Sequence, residues 1–183
     1  VLQERLELRC EDRVAMIAET GADFAALFCA CIYAGAWPVP LPLPTTFGGK
    51  DNYIDQLAIQ LISSDPKLLL YPEEIGEMAA AAAARQGCQA QSWQDFGRRP
   101  APECDLPSAS PDDICYLQYS SGSTRFPTGV AVTHSALLHN LYGHSTTMEL
   151  GTNDRCVSWL PWYHDMGLVG CLLSLIANQV SGD

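Results

Sequence analysis

Short apolar runs and longer stretches with helical spacing alternate along the first half of the chain. The run DRVAMIA (12–18) has the length of a buried strand, and apolar residues at helical spacing follow between Phe24 and Gly35. An amphipathic helix spanning Ile54–Ile62 precedes a second strand, KLLLY (67–71). An alanine-rich helix then ends at Gly87. The pattern predicts strand followed by helix, twice over.

The second half repeats this alternation. Strands are predicted for ICYLQY (114–119), GVAVT (129–133) and RCVSWLP (155–161). A helix is predicted from about His134, with Thr133 as its N-cap. Five apolar residues are expected on one face of that helix: Leu137, Leu138, Leu141, Tyr142 and Met148. The whole pattern favours an α/β fold with layers, in which a largely parallel sheet is flanked by helices.

Proline-rich segments mark an edge and a boundary. In WPVPLPLP every second residue is a proline, which cannot donate into a central ladder, so we expect an edge strand or an extended connection. Residues 97–113 contain four prolines and almost no bulky apolar residue, which is typical of a connector. We therefore divide the chain into a first α/β segment (1–96), the connector, and a second segment (114–183).

Composition and charge exclude some classes of binding partner and some locations. The 183 residues are 48% hydrophobic, which is enough for a buried core. A net charge of −11 disfavours nonspecific contact with nucleic acid or an anionic membrane. No apolar run approaches the roughly 20 residues of a membrane-spanning helix, and the start does not read as a signal peptide, so we expect a cytoplasmic protein. Both ends of the chain are expected to be cut.

Metal-binding patterns are absent from the sequence. The eight cysteines include no C-x-x-C pair, which argues against zinc, and several lie in apolar runs where a free thiol behaves as a small hydrophobe. His134, His139 and His144 are five residues apart, so on a helix each would lie about 140° around the axis from the one before. They form no metal-binding face, and we predict no protein-built metal site.

The turn YSSGSTRFPTGV (119–130) concentrates small donors between two apolar strands. Backbone N–H groups and hydroxyls in such a turn can solvate phosphate oxygens, but an ordinary polar turn has the same composition. The segment matches neither the Walker pattern G-x-x-x-x-G-K-[ST] nor a G-x-S-x-G elbow. From its residues alone the turn is therefore either a phosphate cradle or a simple connection.

With its flanks, YLQYSSGSTRFPTGVAVTH resembles the phosphate-binding signature of the adenylate-forming superfamily of acyl-CoA synthetases, peptide-synthetase adenylation domains and luciferases. SWLPWYHDMGLVG resembles the next core motif of that superfamily, and CIYAGAWPVPLP is similar to the helix and strand before them. The resemblance implies part of a large N-terminal AMP-binding domain that uses ATP and Mg²⁺. It also implies that the triphosphate is held by Ser120, Ser121, Gly122, Ser123 and Thr124.

Two departures from the signature point to one branch of the superfamily. Arg125 and Thr128 stand where most members have glycine and lysine, and this variant resembles fatty-acyl-AMP ligases. Those enzymes pass their acyl adenylate to an acyl carrier or polyketide synthase protein. A guanidinium can meet phosphate oxygens through two donors, but Arg125 could equally pair with Asp165.

The segment WYHDMG places a histidine beside a carboxylate. Neighbouring residues on an extended chain usually point in different directions, so His164 and Asp165 need not act together. The resemblance implies that His164 lines the junction between nucleotide and acyl chain, as a catalytic residue, with Trp162 and Tyr163 as walls of the acyl pocket. A structural role for His164 remains the alternative. For Trp159 and Leu160 we expect core positions.

The resemblance implies an enzyme that activates a medium- or long-chain fatty acid with ATP, forming acyl adenylate and pyrophosphate. A fatty-acid–CoA ligase is one alternative, and a non-catalytic module that binds a nucleotide or a carrier protein is another. The only lysines, Lys50 and Lys67, are distant in sequence from both motifs. The family's catalytic lysine and its adenine and ribose sites are therefore expected beyond these residues, and the 183-residue chain alone is expected to be inactive or nearly so.

Overall fold

The computed structural model describes residues 8–45, 49–96, 106–119 and 128–182. A parallel sheet of four strands organises the first half of the chain. Its strands are β1 (Arg13–Met16), β2 (Trp37–Pro40), β3 (Leu68–Tyr71) and β4 (Gln89–Ser92), in the spatial order β2-β1-β3-β4. All three pairings are parallel, as the alternation of strands and helices predicted.

Helices cover both faces of this sheet. They are α1 (Ala22–Tyr33), α2 (Lys50–Ser64) and α3 (Gly76–Gln86), with short 3₁₀ turns at Glu73–Ile75 and Trp93–Phe96. Helix α1 packs with alternate sheet residues on one face, whereas α2 and α3 pack with the intervening residues on the other. This confirms the predicted layers, because strands buried on both faces read as continuous apolar runs.

Strand β2 lies at the edge of the four-stranded ladder, as its prolines predicted. The amides of Trp37 and Leu41 donate to carbonyls of Asp12 and Met16 on the β1 side, at 2.9 Å each. Pro38 and the proline two positions later have no amide hydrogen to donate. In an alternating strand the backbone nitrogens of these two residues face away from β1, so the pairing with β1 does not need them. Strand β5 (Ile114–Tyr119) lies beside β2, yet no backbone hydrogen bond between these two strands is found among the described residues.

An antiparallel hairpin opens the second half of the described chain. Strand β5 (Ile114–Tyr119) pairs with β6 (Gly129–Thr133), with Tyr119 opposite Gly129 at the end where residues 120–128 connect the two strands. Helix α4 (His134–Met148) follows directly, and Thr133 Oγ1 accepts a 3.1 Å hydrogen bond from the amide of Ala136. The predicted N-cap is therefore confirmed. Of the predicted connector 97–113, residues 97–105 lie outside the described residues.

The predicted strand RCVSWLP is wrong beyond its first two residues. Only β7 (Arg155–Cys156) pairs, with β8 (Ser181–Gly182). No described strand lies in register with residues 157–161, and the side chains of Val157 and Trp159 are 77% and 90% exposed. The predicted core position of Trp159 is also wrong, because exposure alternates along residues 157–160 and Trp159 lies on the exposed side.

The apolar face predicted for α4 divides in two. Leu137 and Leu141 are buried, whereas Leu138, Tyr142 and Met148 are exposed. Leu138 and Tyr142 each follow a buried residue by one position, which rotates them by about 100° around the helix axis. The face prediction was therefore too wide, and Met148 is exposed in the last turn.

The apolar segment near the end of the chain forms a π-helix, Met166–Leu173, which continues as α5 (Ser174–Asn178). Leu168 and Leu172 of the π-helix join the same buried cluster as Phe24, Phe28 and Tyr116. One continuous core therefore connects the first sheet, the hairpin and the π-helix. None of the helices in the described ranges combines the length and apolar character needed to cross a bilayer.

Two thiols in this core predict sensitivity to alkaline pH. Burial raises the pKa of Cys31 to about 12 and that of Cys115 to about 11. In the unfolded chain both thiols ionise near their ordinary pKa of about 8.5. The stability that comes from keeping them neutral is complete below that pH and is lost as the pH rises towards the folded-state values, at up to about 1.4 kcal/mol per pH unit for each thiol.

We therefore expect the urea midpoint to fall between about pH 8 and about pH 10, and to fall less steeply in Cys31→Ala. Cys10 is exposed, so Cys10→Ala serves as the control and should keep the wild-type slope. Equal slopes for Cys31→Ala and Cys10→Ala would contradict this account.

Candidate functional site

The segment Trp162–Asp165 forms a compact turn that leads into the π-helix. The amide of His164 donates to the carbonyl of Pro161 at 3.1 Å, and the His164 carbonyl accepts from the amide of Leu168 at 2.8 Å. The amide of Trp162 donates to Thr20 Oγ1 at 3.2 Å, which ties the turn to the residues that follow β1. The turn is thus anchored to both halves of the described chain.

The side chains of His164 and Asp165 meet, which the sequence had left open. Nδ1 of His164 lies 2.6 Å from Oδ1 of Asp165. They can meet because the backbone at Asp165 is helical (φ −51°, ψ −46°) rather than extended. With Nδ1 occupied by the carboxylate, Nε2 on the opposite side of the ring is the nitrogen that can contact a substrate.

Asp165 also begins the π-helix. Its Oδ1 accepts a 2.7 Å hydrogen bond from the amide of Met166, a donor that the helix leaves unsatisfied. A longer contact of 3.4 Å joins the same amide to Nδ1 of His164. We assign the amide hydrogen to the carboxylate, because the bond is shorter and the acceptor is charged. One carboxylate therefore fixes both the ring orientation and the helix start.

Gly167 allows the π-helix to approach the preceding backbone. A Cβ atom at this position would lie 2.2 Å from the carbonyl oxygen of Pro161 and 2.8 Å from its carbonyl carbon. These are backbone atoms, so no side-chain rotation can relieve the overlap. A glycine is required for the turn and the π-helix to pack as they do.

The two predicted wall residues pack beside the core. The rings of Trp162 and Phe24 contact edge to face, with centroids 5.9 Å apart and an interplanar angle of 69°. Both Trp162 and Tyr163 are half-buried and pack against the cluster formed around α1. Their roles as walls of an acyl pocket stay predictions.

A cavity of about 470 Å³ lies between α4, the hairpin and the π-helix. Its lining is mainly apolar, and Asp165 stands at its boundary beside His164. A volume of this size is typical of small-molecule sites. The lining residues are Tyr116, Val132, Ala136, Leu137, Asn140, His144, Asp165, Met166, Val169 and Gly170.

Sequence reasoning missed part of this lining. Ala136, Asn140 and His144 recur every fourth residue and so share one face of α4, a signal that was present in the sequence. His144, to which no role was assigned, contacts the fully buried Ser174 through Nδ1 and Oγ at 2.9 Å. This contact attaches α4 to the residue at which α5 begins.

The proposed phosphate-binding residues Ser120–Arg125 lie outside the described residues. The structure does describe residues on either side of them, where Tyr119 of β5 pairs with Gly129 of β6. One residue earlier, buried Gln118 donates from Nε2 to the carbonyl of Tyr163 at 2.9 Å. The strand that leads into the proposed loop therefore contacts the turn that carries His164. Whether Arg125 binds phosphate or pairs with Asp165 stays open, although His164 already contacts that carboxylate.

No group of three or more His, Cys, Asp or Glu residues within the described ranges is arranged to hold a metal ion. Magnesium in nucleotide-dependent enzymes is commonly held through one or two carboxylates together with the substrate's phosphates. Among the residues that line the cavity, Asp165 supplies the one carboxylate.

Comparisons with known proteins bear on this site. The family model described as AMP-binding enzyme matches residues 1–180. The chain is 42% identical over 178 residues to a Caulobacter vibrioides protein whose name marks it as a provisional acyl-CoA synthetase; the match covers 94% of this chain and 30% of that protein.

Two solved structures are similar in fold and sequence. One comes from work on fatty acyl-adenylate ligases of E. coli and L. pneumophila, with a TM-score of 0.89 and 43% identity over 97% of this chain and 32% of that one. The other is a fatty acyl-adenylate ligase of L. pneumophila in complex with acyl adenylate and pyrophosphate, with a TM-score of 0.84 and 28% identity over 99% of this chain and 31% of that one. The chain spans about a third of the length of each of these relatives.

Proposed function

Because this chain belongs to the AMP-binding enzyme family, we propose that it forms part of an enzyme that activates a medium- or long-chain fatty acid with ATP. The products are a fatty-acyl adenylate and pyrophosphate. The observation that carries the proposal is the mainly apolar cavity beside α4, whose boundary at Asp165 adjoins His164. An alkyl chain fits an apolar cavity, and the imidazole of His164, which contacts Asp165 at this boundary, is the polar group that can meet the carboxyl end.

In this reaction the fatty-acid carboxylate attacks the α-phosphorus of ATP. A carboxyl-oxygen-to-phosphorus bond forms, and the bond from the α-phosphorus to the bridging oxygen of pyrophosphate breaks. The nucleophile is already an anion at neutral pH, so alignment and charge stabilisation matter more than a general base. ATP with its magnesium ion supplies the reactive phosphorus, and this chain's residues hold and orient the reacting groups.

Residues of this chain then take distinct roles. Ser120, Ser121, Gly122, Ser123 and Thr124 hold the triphosphate, and Arg125 adds a cation beside it. His164 presents Nε2 at the junction between the nucleotide and the fatty acid, and Asp165 orients its ring. Trp162 and Tyr163 line the passage near the fatty-acid carboxylate. The contact between Gln118 and the Tyr163 carbonyl supports this arrangement, because it joins the two segments that carry these residues.

For the acceptor we propose an acyl carrier or polyketide synthase protein, and for the location the cytoplasm. Arg125 and Thr128, together with similarity to fatty acyl-adenylate ligases, support this acceptor. The net charge of −11 disfavours direct docking of an acidic carrier on this part of the protein. Coenzyme A is the second candidate acceptor, supported by the Caulobacter relative.

We expect the full-length protein that carries this chain to catalyse pyrophosphate exchange that depends on a medium- or long-chain fatty acid. Mass spectrometry should detect the acyl adenylate, and the acyl group should appear on a carrier protein's phosphopantetheine rather than on coenzyme A. The 183-residue chain alone, assayed in parallel, should show little exchange because it spans about a third of its relatives.

Each other outcome excludes a defined part of the proposal. Formation of acyl-CoA would favour the coenzyme A ligase. ATP binding without fatty-acid-dependent exchange would favour a non-catalytic module. Exchange by the 183-residue chain at the full-length rate would overturn the assignment of essential residues beyond it.

A further inference from the structure

Gln118 is a buried polar residue in an apolar strand. It is 6% exposed and is the penultimate residue of β5, directly before Tyr119 and the proposed phosphate loop. Its Nε2 donates to the carbonyl of Tyr163 at 2.9 Å, and a weaker contact of 3.3 Å reaches the carbonyl of Tyr119. The side chain thus spans from one motif to the other across 45 positions of sequence.

The bond from Gln118 holds the peptide that immediately precedes His164. Thr20 holds the amide of Trp162, and Asp165 holds the imidazole ring itself. Among these three contacts, the one from Gln118 connects His164 with the strand that leads into the proposed loop. A displacement of that strand is therefore transmitted to the histidine.

The other end of the Gln118 amide argues against a purely stabilising role. Its Oε1 is buried and has no hydrogen-bond partner within the described residues. A buried acceptor left without a partner opposes folding, so the cost of burying Oε1 offsets much of the stability that the bond from Nε2 provides. The amide at this position is better explained by the bond that Nε2 makes to Tyr163.

We propose that Gln118 is a positioning residue that keeps the end of β5 and the turn carrying His164 in fixed register during adenylate formation. This inference rests on the proposed function. The fatty-acid oxygen must lie about 3–3.5 Å from the α-phosphorus, and a misplacement of about 1 Å can lower the rate about 100-fold. The nucleotide is held after β5 and the acid beside His164, so Gln118 sets the distance between the two reactants.

The test is Gln118→Met in the full-length protein, measured by fatty-acid-dependent pyrophosphate exchange and thermal unfolding. We expect kcat to fall about 10- to 100-fold, with little change in the KM values for ATP and fatty acid or in Tm. Gln86→Met is the matched control, because Gln86 also has a buried Oε1 without a partner among the described residues and donates from Nε2, to Asp65 at 3.0 Å, far from this turn. Its kcat should stay at the wild-type value.

A second measurement separates positioning from folding. Because Gln118 acts through His164, Gln118→Met should lower kcat far less in a His164→Ala background than in the wild type. Gln118→Asn, which keeps an amide but cannot span the same gap, should behave like Gln118→Met, and it replaces that variant if methionine prevents folding.

The outcomes are distinguishable. A wild-type kcat in the Gln118 variants, equal effects in both backgrounds, or an activity loss that matches a loss of folded protein would each overturn the positioning role while leaving the proposed function intact. Absence of exchange in the wild-type enzyme with every fatty acid would overturn the proposed function, and the positioning role with it.

Discussion

Replacing Gly167 by alanine is expected to lower the free energy of unfolding by more than about 2 kcal/mol and to remove most adenylate formation. The new Cβ would lie 2.2 Å from the carbonyl oxygen of Pro161, and that backbone can move only if the turn carrying His164 moves with it. Stability and catalysis should therefore decline together. Urea unfolding and pyrophosphate exchange on the full-length protein measure the two effects.

Gly170→Ala is the control for this substitution. Gly170 lies in the same π-helix, and a methyl group there would have no neighbouring atom of the described chain within 4 Å beyond its own helix. An alanine at this position should leave stability unchanged or raise it by up to about 1 kcal/mol, because glycine is the poorer helix former. Gly170 lines the cavity, so the comparison uses stability rather than activity. Equal unfolding midpoints for the two alanine variants would refute the close-approach argument.

His164→Ala is expected to reduce kcat for adenylate formation by about 100-fold or more. The loss follows from the position of Nε2, which is the ring nitrogen left for substrate once Nδ1 contacts Asp165. Asp165→Asn should reduce kcat less, by about tenfold, because the amide oxygen can still accept from Nδ1 although the charge is gone. Single-turnover formation of acyl adenylate at saturating ATP and fatty acid measures both.

The control for the histidine is His139→Ala. His139 is exposed on α4 and its ring contacts its own helix, through the Ser135 carbonyl at 2.8 Å and the Ser135 hydroxyl at 3.4 Å. Its removal should leave kcat unchanged. A His164→Ala enzyme as active as His139→Ala would assign His164 a structural role, the alternative left open by the sequence.

The sequence predicted those parts of the fold that depend on local chemistry. Alternating prolines cannot donate to a ladder, so the edge position of β2 followed from composition. Thr133 could be recognised as an N-cap because its side chain satisfies an amide within the same helix turn. The parallel sheet followed from the order of apolar runs, since parallel strands need a crossover connection, which is usually a helix.

The wrong prediction for Trp159 and the features that were not predicted are those whose outcome depends on distant partners. Whether Trp159 is buried depends on what packs against an extended segment, which apolarity alone does not determine. A π-helix contains the same apolar residues as an α-helix, so the sequence pattern did not distinguish the two kinds of helix at Met166–Leu173. The contact between His164 and Asp165 depends on a turn that the residue order does not reveal.

The sequence showed the two motifs of the candidate site but not the contacts that join them. A single polar residue within ICYLQY marked Gln118, yet its partner Tyr163 lies in another motif and could be found only from the fold. The cavity beside α4 likewise combines three elements that are separate in sequence. Contacts between elements that are separate in sequence depend on the tertiary fold, and the pattern of residues along the chain does not predict them.

The way in which β2 and β5 lie side by side has a mechanical consequence. Neighbouring strands in a sheet normally resist sliding through their ladder, but here the restraint comes from side chains, because no backbone hydrogen bond joins the two strands in the part of the chain that the structure describes. Shear of the hairpin along the sheet would therefore break no ladder. It would be resisted by Tyr119, which packs in the cluster with Val39 and Leu41 and donates from its hydroxyl to the carbonyl of Gln60 at 3.3 Å.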